Sequence, residues 1–266
     1  MKLKTGWIGA LIVFFLVLVI KNIPAQMGLG LANVPMQIGG VSGTVWRGKA
    51  ATVVLPVEDS AYALGAVEWS LNPWTLLAAK PCAELRAKLD QQTLSGTACV
   101  GFGGSLQLEN AQFAVPAKVA EIFAPIVEVD GEFLLQVQTL DFSDNQINQL
   151  TGSGSWSKAR FYNSTSWINL GSLGFDLKED GNGGIKANIF DIESPLQMQL
   201  DSQFNFIGNY NTIGEIKLRP GAPREIGELL DSYTNVSKDI QEVFSLFVES
   251  RGRDTYAIRW QNSQQR

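Results

Sequence analysis

Serine, cysteine, aspartate and glycine clusters are the places where this chain could do chemistry. One absence limits all of them: its 266 residues include no histidine. Without imidazole there is no Ser-His-Asp or Cys-His relay and no His-ligated zinc. Gly152-Ser153-Gly154-Ser155-Trp156 has the residue types of a nucleophile elbow, but the spacing is wrong, no helix is predicted after it and no base exists. Gly28-Leu29-Gly30 and Gly101-Phe102-Gly103-Gly104 do not open helices inside βαβ units, so neither is a dinucleotide fingerprint. Asp180-Gly181-Asn182-Gly183-Gly184 beside Glu179 lacks the liganding acids of a calcium loop and reads as a turn. Asp141, Asp144 and Asn145 read as a solvated loop, and no carboxylate pair is singled out for glycoside hydrolysis. These residues point away from an enzyme: no catalytic residue, cofactor or metal site is expected.

Two cysteines remain, Cys82 and Cys99, separated by sixteen residues that include a plausible hairpin turn. In an oxidising compartment such a pair is normally bridged, for about 3 kcal/mol of stability on the loop-entropy estimate; the alternative is two buried thiols that never meet. Seven tryptophans are the other unusual feature. Trp46, Trp69, Trp74, Trp156, Trp167 and Trp260 fall on or beside predicted strands. Each buried indole removes about 200 Å² from water and needs a partner for its N–H. They are either core pillars of a sheet or the lining of an exposed groove.

The compartment follows from the N-terminus. Lys2 and Lys4 precede Gly6 to Ile20, a run whose single polar group is an indole N–H. Extended through Ala25, with Lys21 snorkelling, this predicts a transmembrane helix of about twenty residues. The positive-inside rule keeps Lys2 and Lys4 cytoplasmic and sends the remainder across. A cleaved signal peptide is the rival, but Lys21 sits where a neutral region belongs and Ile23-Pro24-Ala25 is a poor cleavage site. After residue 25 the chain carries 18 Lys and Arg against 26 Asp and Glu. That balance repels phosphate backbones, so nucleic acid is excluded as a partner.

Composition, at 45% apolar and 18% charged, excludes disorder. Period-2 alternation dominates: Leu85, Ala87 and Leu89 interleave with charged residues, as do Leu196, Met198 and Leu200 with polar ones. Phe175 and Leu177 precede the Asp180–Gly184 turn, and Ile185, Ala187 and Ile189 follow it, as in a hairpin. The expected fold is mainly β, an N-terminal transmembrane helix followed by a curved antiparallel sheet with one wetted face. Helices are predicted from Pro116 to about Ala124, and as two short pieces within Pro223–Glu249, with a final strand over Thr255–Gln261. Val41-Ser42-Gly43-Thr44 with Trp46 resembles Leu150-Thr151-Gly152-Ser153 with Trp156. Read as a repeat, this gives a cytoplasmic 1–5, an anchor over 6–25, a linker over 26–38, β-units over 39–130 and 131–262 with a helical segment at 223–249, and a tail at 263–266.

Two blocks are specific: Gly43-Thr44-Val45-Trp46-Arg47-Gly48, then Trp69-Ser70-Leu71-Asn72-Pro73-Trp74. With Gly208-Asn209-Tyr210, Leu218-Arg219-Pro220 and Tyr256-Ala257-Ile258-Arg259-Trp260, the chain resembles the type II secretion system protein N family from residue 1 to about 261. The resemblance implies a single-pass inner-membrane protein with a periplasmic β-rich domain, in the machine that exports folded proteins across the outer membrane. It implies no catalytic activity, and partners among other inner-membrane and periplasmic secretion proteins. The family is also similar to anchored lipid-handling proteins whose strands form a groove, so a hydrophobic-ligand carrier is the alternative. Gly43, Thr44, Trp46, Gly48, Trp69, Pro73 and Trp74 carry over as motif residues without an assigned role. Ala79-Lys80-Pro81-Cys82 departs from the family's small, polar run, so the two cysteines are not assumed typical.

Overall fold

In the computed structural model of the chain, the described residues are 3–32, 36–57, 60–101, 103–122, 128–163, 165–205, 209–234 and 246–261. Internal contacts divide the chain into two compact units, Met1–Cys99 and Val100–Arg266.

The first unit opens with helix α1 (Leu3–Lys21). Its large apolar side chains from Trp7 to Ile20 are all exposed. The expected continuation through Ala25 does not occur. The Asn22 amide and Nδ2 both donate to Leu18 O, at 3.2 and 2.7 Å, and Ile23 N reaches Ile20 O at 3.4 Å, a tightened last turn. Pro24 then supplies no N–H. Helix α2 (Ala25–Ala32) starts behind it, with the Met27 and Gly28 amides both on Pro24 O. The single helix expected over 6–25 is therefore corrected to two, and the transmembrane length expected of it is not found: among the described residues no helix is long and apolar enough to cross a membrane.

Next come β1 (Gln37–Gly39), β2 (Ser42–Gly43), β3 (Arg47–Val57), β4 (Ser60–Asn72), the short helix α3 (Pro73–Leu77), β5 (Cys82–Leu89) and β6 (Gln92–Val100). They pair antiparallel in the order β1-β3-β4-β5-β6, with β2 also on β3. Cross-strand register converts sequence alternation into two faces. Ala50, Val67, Ala87 and Leu94 form one row, while Lys49, Glu68, Arg86 and Ser95 form a neighbouring row on the other face.

The second unit holds β7 (Leu106–Pro116), a 3₁₀ turn (Ala117–Ile122), β8 (Val129–Ser143), β9 (Gln146–Tyr162), β10 (Trp167–Glu179), β11 (Ile185–Glu193), β12 (Leu196–Phe204), β13 (Tyr210–Leu218), α4 (Arg224–Thr234), β14 (Leu246–Gly252) and β15 (Thr255–Gln261). The antiparallel order runs from β7 to β13 in sequence and then β15-β14. Phe175 faces Ile189 and Leu177 faces Ala187, the hairpin expected from alternation. Asp144 and Asn145, expected in a solvated loop, form the two-residue turn of the β8–β9 hairpin with φ of 52° and 59°. The helix expected after Pro116 is the 3₁₀ turn, since β7 runs through Pro116 itself.

The expected C-terminal helices are half corrected. The first is α4; the second lies largely in residues 235–245, outside the described residues, and Leu246–Glu249 is strand. Leu246 and Val248 alternate, and Val248 opposite Ile258 joins Ile226, Leu230, Leu196, Ile168 and Tyr256 in one buried cluster. That burial favours the strand over the helical spacing of the same segment.

Tyr256 anchors α4 through its hydroxyl, which donates to Asp231 Oδ1 at 2.7 Å. Burial and then the acceptor carboxylate push its phenol from 10.0 up to about 12. The folded chain keeps this proton after the unfolded chain has lost it. Stability is thus full below pH 10.0 and is lost as pH rises toward about 12. The denaturation midpoint should fall across that window more steeply in the natural chain than in Tyr256→Phe, read by circular dichroism; parallel curves would contradict the assignment.

Candidate functional site

The last carbonyls of an α-helix have no partner inside it. In α1 one of them, Ile20 O, accepts the indole N–H of Trp46 at 2.7 Å. Val45 N donates to Ile23 O at 3.0 Å, and Pro24 bridges Thr44 in antiparallel fashion. The exit of α1 is thereby fastened to the loop between β2 and β3.

That loop must be tight, because Gly43 pairs with Gly48 and leaves Thr44 to Arg47 to make the turn. Gly43 takes φ +92°, and a Cβ there would lie 2.6 Å from Arg47 O, so only glycine fits. Thr44 N donates to Arg47 O at 2.9 Å, and Arg47 N to Thr44 Oγ1 at 3.3 Å. Strand β4 holds the loop from its other side: Trp69 Nε1 donates to Val45 O at 3.0 Å and Leu71 N to Trp46 O at 2.7 Å. Gly48 faces Trp69 across the pair, and a Cβ on it would fall 2.4 Å from the indole ring.

Past Leu71, Asn72 caps α3, its Oδ1 accepting Trp74 N at 3.1 Å, and Pro73 takes an early position where a missing N–H costs little. Thr75 Oγ1 donates to Asn72 O at 2.7 Å and accepts Cys82 N at 2.9 Å. Cys82 and Cys99 face each other across β5 and β6 and are joined by a disulfide.

Five of the motif residues thus meet in one clasp: Gly43, Thr44, Trp46, Gly48 and Trp69. Pro73 starts the next element, and Trp74 points away, 76% exposed. Lys21 occupies the last turn of α1 and Lys4 its first; Lys2 lies outside the described residues. Sequence reasoning missed Ile20, Ile23 and Pro24, whose contribution is a main-chain atom and leaves no side-chain signal. It also missed the cap formed by Asn72, although Asn-Pro before an apolar pair is a readable helix start.

The indoles differ in how they are held. Trp46, Trp69 and Trp156 each donate to a backbone carbonyl, that of Trp156 belonging to Asp130 at 3.0 Å. Trp156, like Trp69, lies close to a glycine of the adjoining strand, Gly131 and Gly48 respectively. The sequence repeat had aligned it with Trp46. Beside it, the Gly131 amide and then Arg160 hold the Asp130 carboxyl below its ordinary range. Trp167 and Trp260 are partly exposed and tilt against Tyr162 and Tyr210.

A groove of about 500 Å³ lies on the first unit's polar face, lined by Arg47, Lys49, Glu68, Ser70, Glu84 and Arg86 beside Gly48 and Trp69. Lys49 faces Glu68 and Glu68 faces Arg86, opposite charges across neighbouring strands. Among the described residues no three His, Cys, Asp or Glu side chains are placed to hold a metal ion. In the second unit, α4 covers Leu196 with Ile226 and Leu230. Ile185, Ile189 and Leu200 on neighbouring strands stay half-buried, Phe247 sits on β14, and Val243 lies outside the described residues.

Against known proteins, the family model described as type II secretion system (T2SS), protein N matches residues 35–240. The chain is 26% identical over 198 residues to the type II secretion system protein N of Vibrio cholerae serotype O1, covering 70% of this chain and 77% of that one. It is 27% identical over 164 residues to the protein of the same name from Aeromonas hydrophila, covering 59% and 63%. No solved structure matches.

The clasp makes quantitative demands. Trp46→Phe keeps the ring but removes the donor to Ile20 O and should cost about 1 kcal/mol. Gly48→Val should cost about 1–3 kcal/mol by driving into Trp69. Urea unfolding in detergent measures both, and unchanged midpoints would show that these contacts do not hold the junction.

Proposed function

The chain belongs to the type II secretion system protein N family, and from that premise we propose that it is a non-catalytic subunit of the secretion apparatus, held at the inner membrane by α1 with its bulk in the periplasm. The observation that supports this reading is the clasp. A hydrogen-bonded coupling of an apolar helix to a sheet transmits position and supplies no reacting group. Lys2 and Lys4 ahead of the apolar run favour a cytoplasmic N-terminus. The run from Gly6 to Ile20 rises about 22 Å at 1.5 Å per residue, short of a hydrocarbon core of roughly 30 Å. The flanking lysines must therefore snorkel and the bilayer thin around α1. Contact with other components uses the outer strand β14 or the charge-alternating groove, by strand addition or face packing. Glu249 and Arg251 on β14 discourage indiscriminate pairing.

A second reading, a carrier of hydrophobic ligands, draws support from one observation: Phe175, Ile189 and Leu200 form a half-buried apolar row across β10, β11 and β12. Lipid that co-purifies at fixed stoichiometry, read by mass spectrometry, would favour it.

Replacing residues 1–25 by a cleavable export signal should release the protein into the soluble periplasm and lower secretion of the apparatus's cargo, because the tether confines partners to one surface. The full-length chain should resist alkaline carbonate and need detergent for extraction. Full secretion by the soluble form, or release of the full-length chain by carbonate, would overturn the proposal.

A further inference from the structure

Exposed apolar side chains are unevenly placed in the first unit. Among the described residues, every large apolar side chain exposed there lies on α1, α2 or α3. Beyond α1 itself they are Met27, Trp74, Leu76 and Leu77, with Trp74 at 76% and Leu77 at 81% exposure. All three elements meet at the clasp. Trp46 bonds through its indole to Ile20 at the end of α1 and through its carbonyl to Leu71, two residues before α3. Gly28 of α2 lies against Val45 of the same loop, where an added Cβ would fall 2.6 Å from the valine side chain.

The exposure of α3 is built in. Asn72 caps the helix, Thr75 ties it to Asn72 O and to Cys82 N, Lys80 N donates to Thr75 O at 3.1 Å, and Cys82 is covalently fixed to Cys99. A segment braced on both sides holds a tryptophan and two leucines outward at the exit of an apolar helix. Trp favours the headgroup level of a bilayer, where its ring is buried and its N–H stays wet.

We infer that α3 is a second membrane contact: Trp74, Leu76 and Leu77 dip into the interface of the leaflet that α1 leaves, with Met27 alongside. The occupant is the lipid bilayer itself. Continuity argues for it, because the hydrogen-bonded path from Ile20 through Trp46 to Leu71 leaves α3 little freedom to move away from the surface where α1 emerges. Two attachment points would fix the tilt of the first sheet against the membrane, where a single helix leaves it free to swing. The inference rests on α1 being the anchor, and its test separates the two.

The described cysteines are both in the disulfide, so an introduced cysteine is a unique thiol. Full-length Leu77→Cys, labelled with an environment-sensitive fluorophore, is reconstituted into vesicles of neutral and anionic phospholipid carrying nitroxides either near the headgroups or deep in the acyl chains. Leu16→Cys on α1 reports the anchor. Gln91→Cys, at the β5–β6 turn, is the solvent control, separated from Cys82 by the roughly 25 Å length of an eight-residue strand. The expected result is loss of most of the emission at position 77 with the shallow nitroxide, at position 16 with the deep one, and at position 91 with neither. The companion variant Trp74→Ala, which removes an exposed side chain, should weaken the shallow quenching at 77 and leave 16 unchanged. Quenching at 16 with position 77 behaving like 91 would overturn the inference and leave the anchor standing; position 77 shielded only when other secretion proteins are added would overturn it in favour of a protein contact. Absence of quenching at 16 would remove the anchor reading and the inference together.

Discussion

The indole of Trp46 closing on the carbonyl of Ile20 is the contact on which the first unit's arrangement depends. A helix end is a cluster of unmet acceptors, and a sheet edge beside it has its own main-chain groups to satisfy. The loop from Thr44 to Arg47 serves both. It gives a side-chain donor to the helix, an amide to Ile23, and two carbonyls to Trp69 and Leu71. The two glycines that bracket it are there for space. One allows a turn that L side chains rarely adopt, and the other makes room for the second indole.

Elsewhere the fold rests on wide antiparallel pairing with limited burial. Among the described residues, fully buried apolar side chains are few, and many are alanines and valines within strands. The larger of the two buried clusters forms where α4 packs on Leu196, Ile168 and Val248, and the smaller, around Ala111, Val137, Ile147 and Leu150, is built from strand residues alone. Where nothing thicker is available, local devices act in its place. The Cys82–Cys99 bond joins paired strands, left-handed turns at Asp90 and Asp144–Asn145 set hairpin register, and indole N–H groups find carbonyls.

How much of this the sequence disclosed follows from what kind of signal each feature leaves. Alternation in 175–189 and 196–200 gave strands, because a sheet with one wetted face writes period two directly into residue type. The segment from Leu246 to Glu249 misled, because its apolar residues satisfy helical and strand spacing together and only the opposing Ile258 decides between them. The end of α1 at Lys21 was foreshadowed by Pro24, yet apolar continuity argued for extension, and steric exclusion of the proline prevailed. The clasp was visible as a cluster of Trp and Gly but not as a junction. Its contacts on the helix side are main-chain atoms of residues 20–24, where any side chain gives the same carbonyl.

That last point bears on how freely α1 can change. Its acceptors are Ile20 O and Ile23 O, and its bridge is made by Pro24. Among the described residues, the latch contacts on the helix side are to main-chain atoms and not to the greasy side chains between Trp7 and Val19. An unrelated apolar helix of equal length, ending at the same distance before Pro24, would present the same acceptors. The helix is an interchangeable part, and the loop that receives it is not.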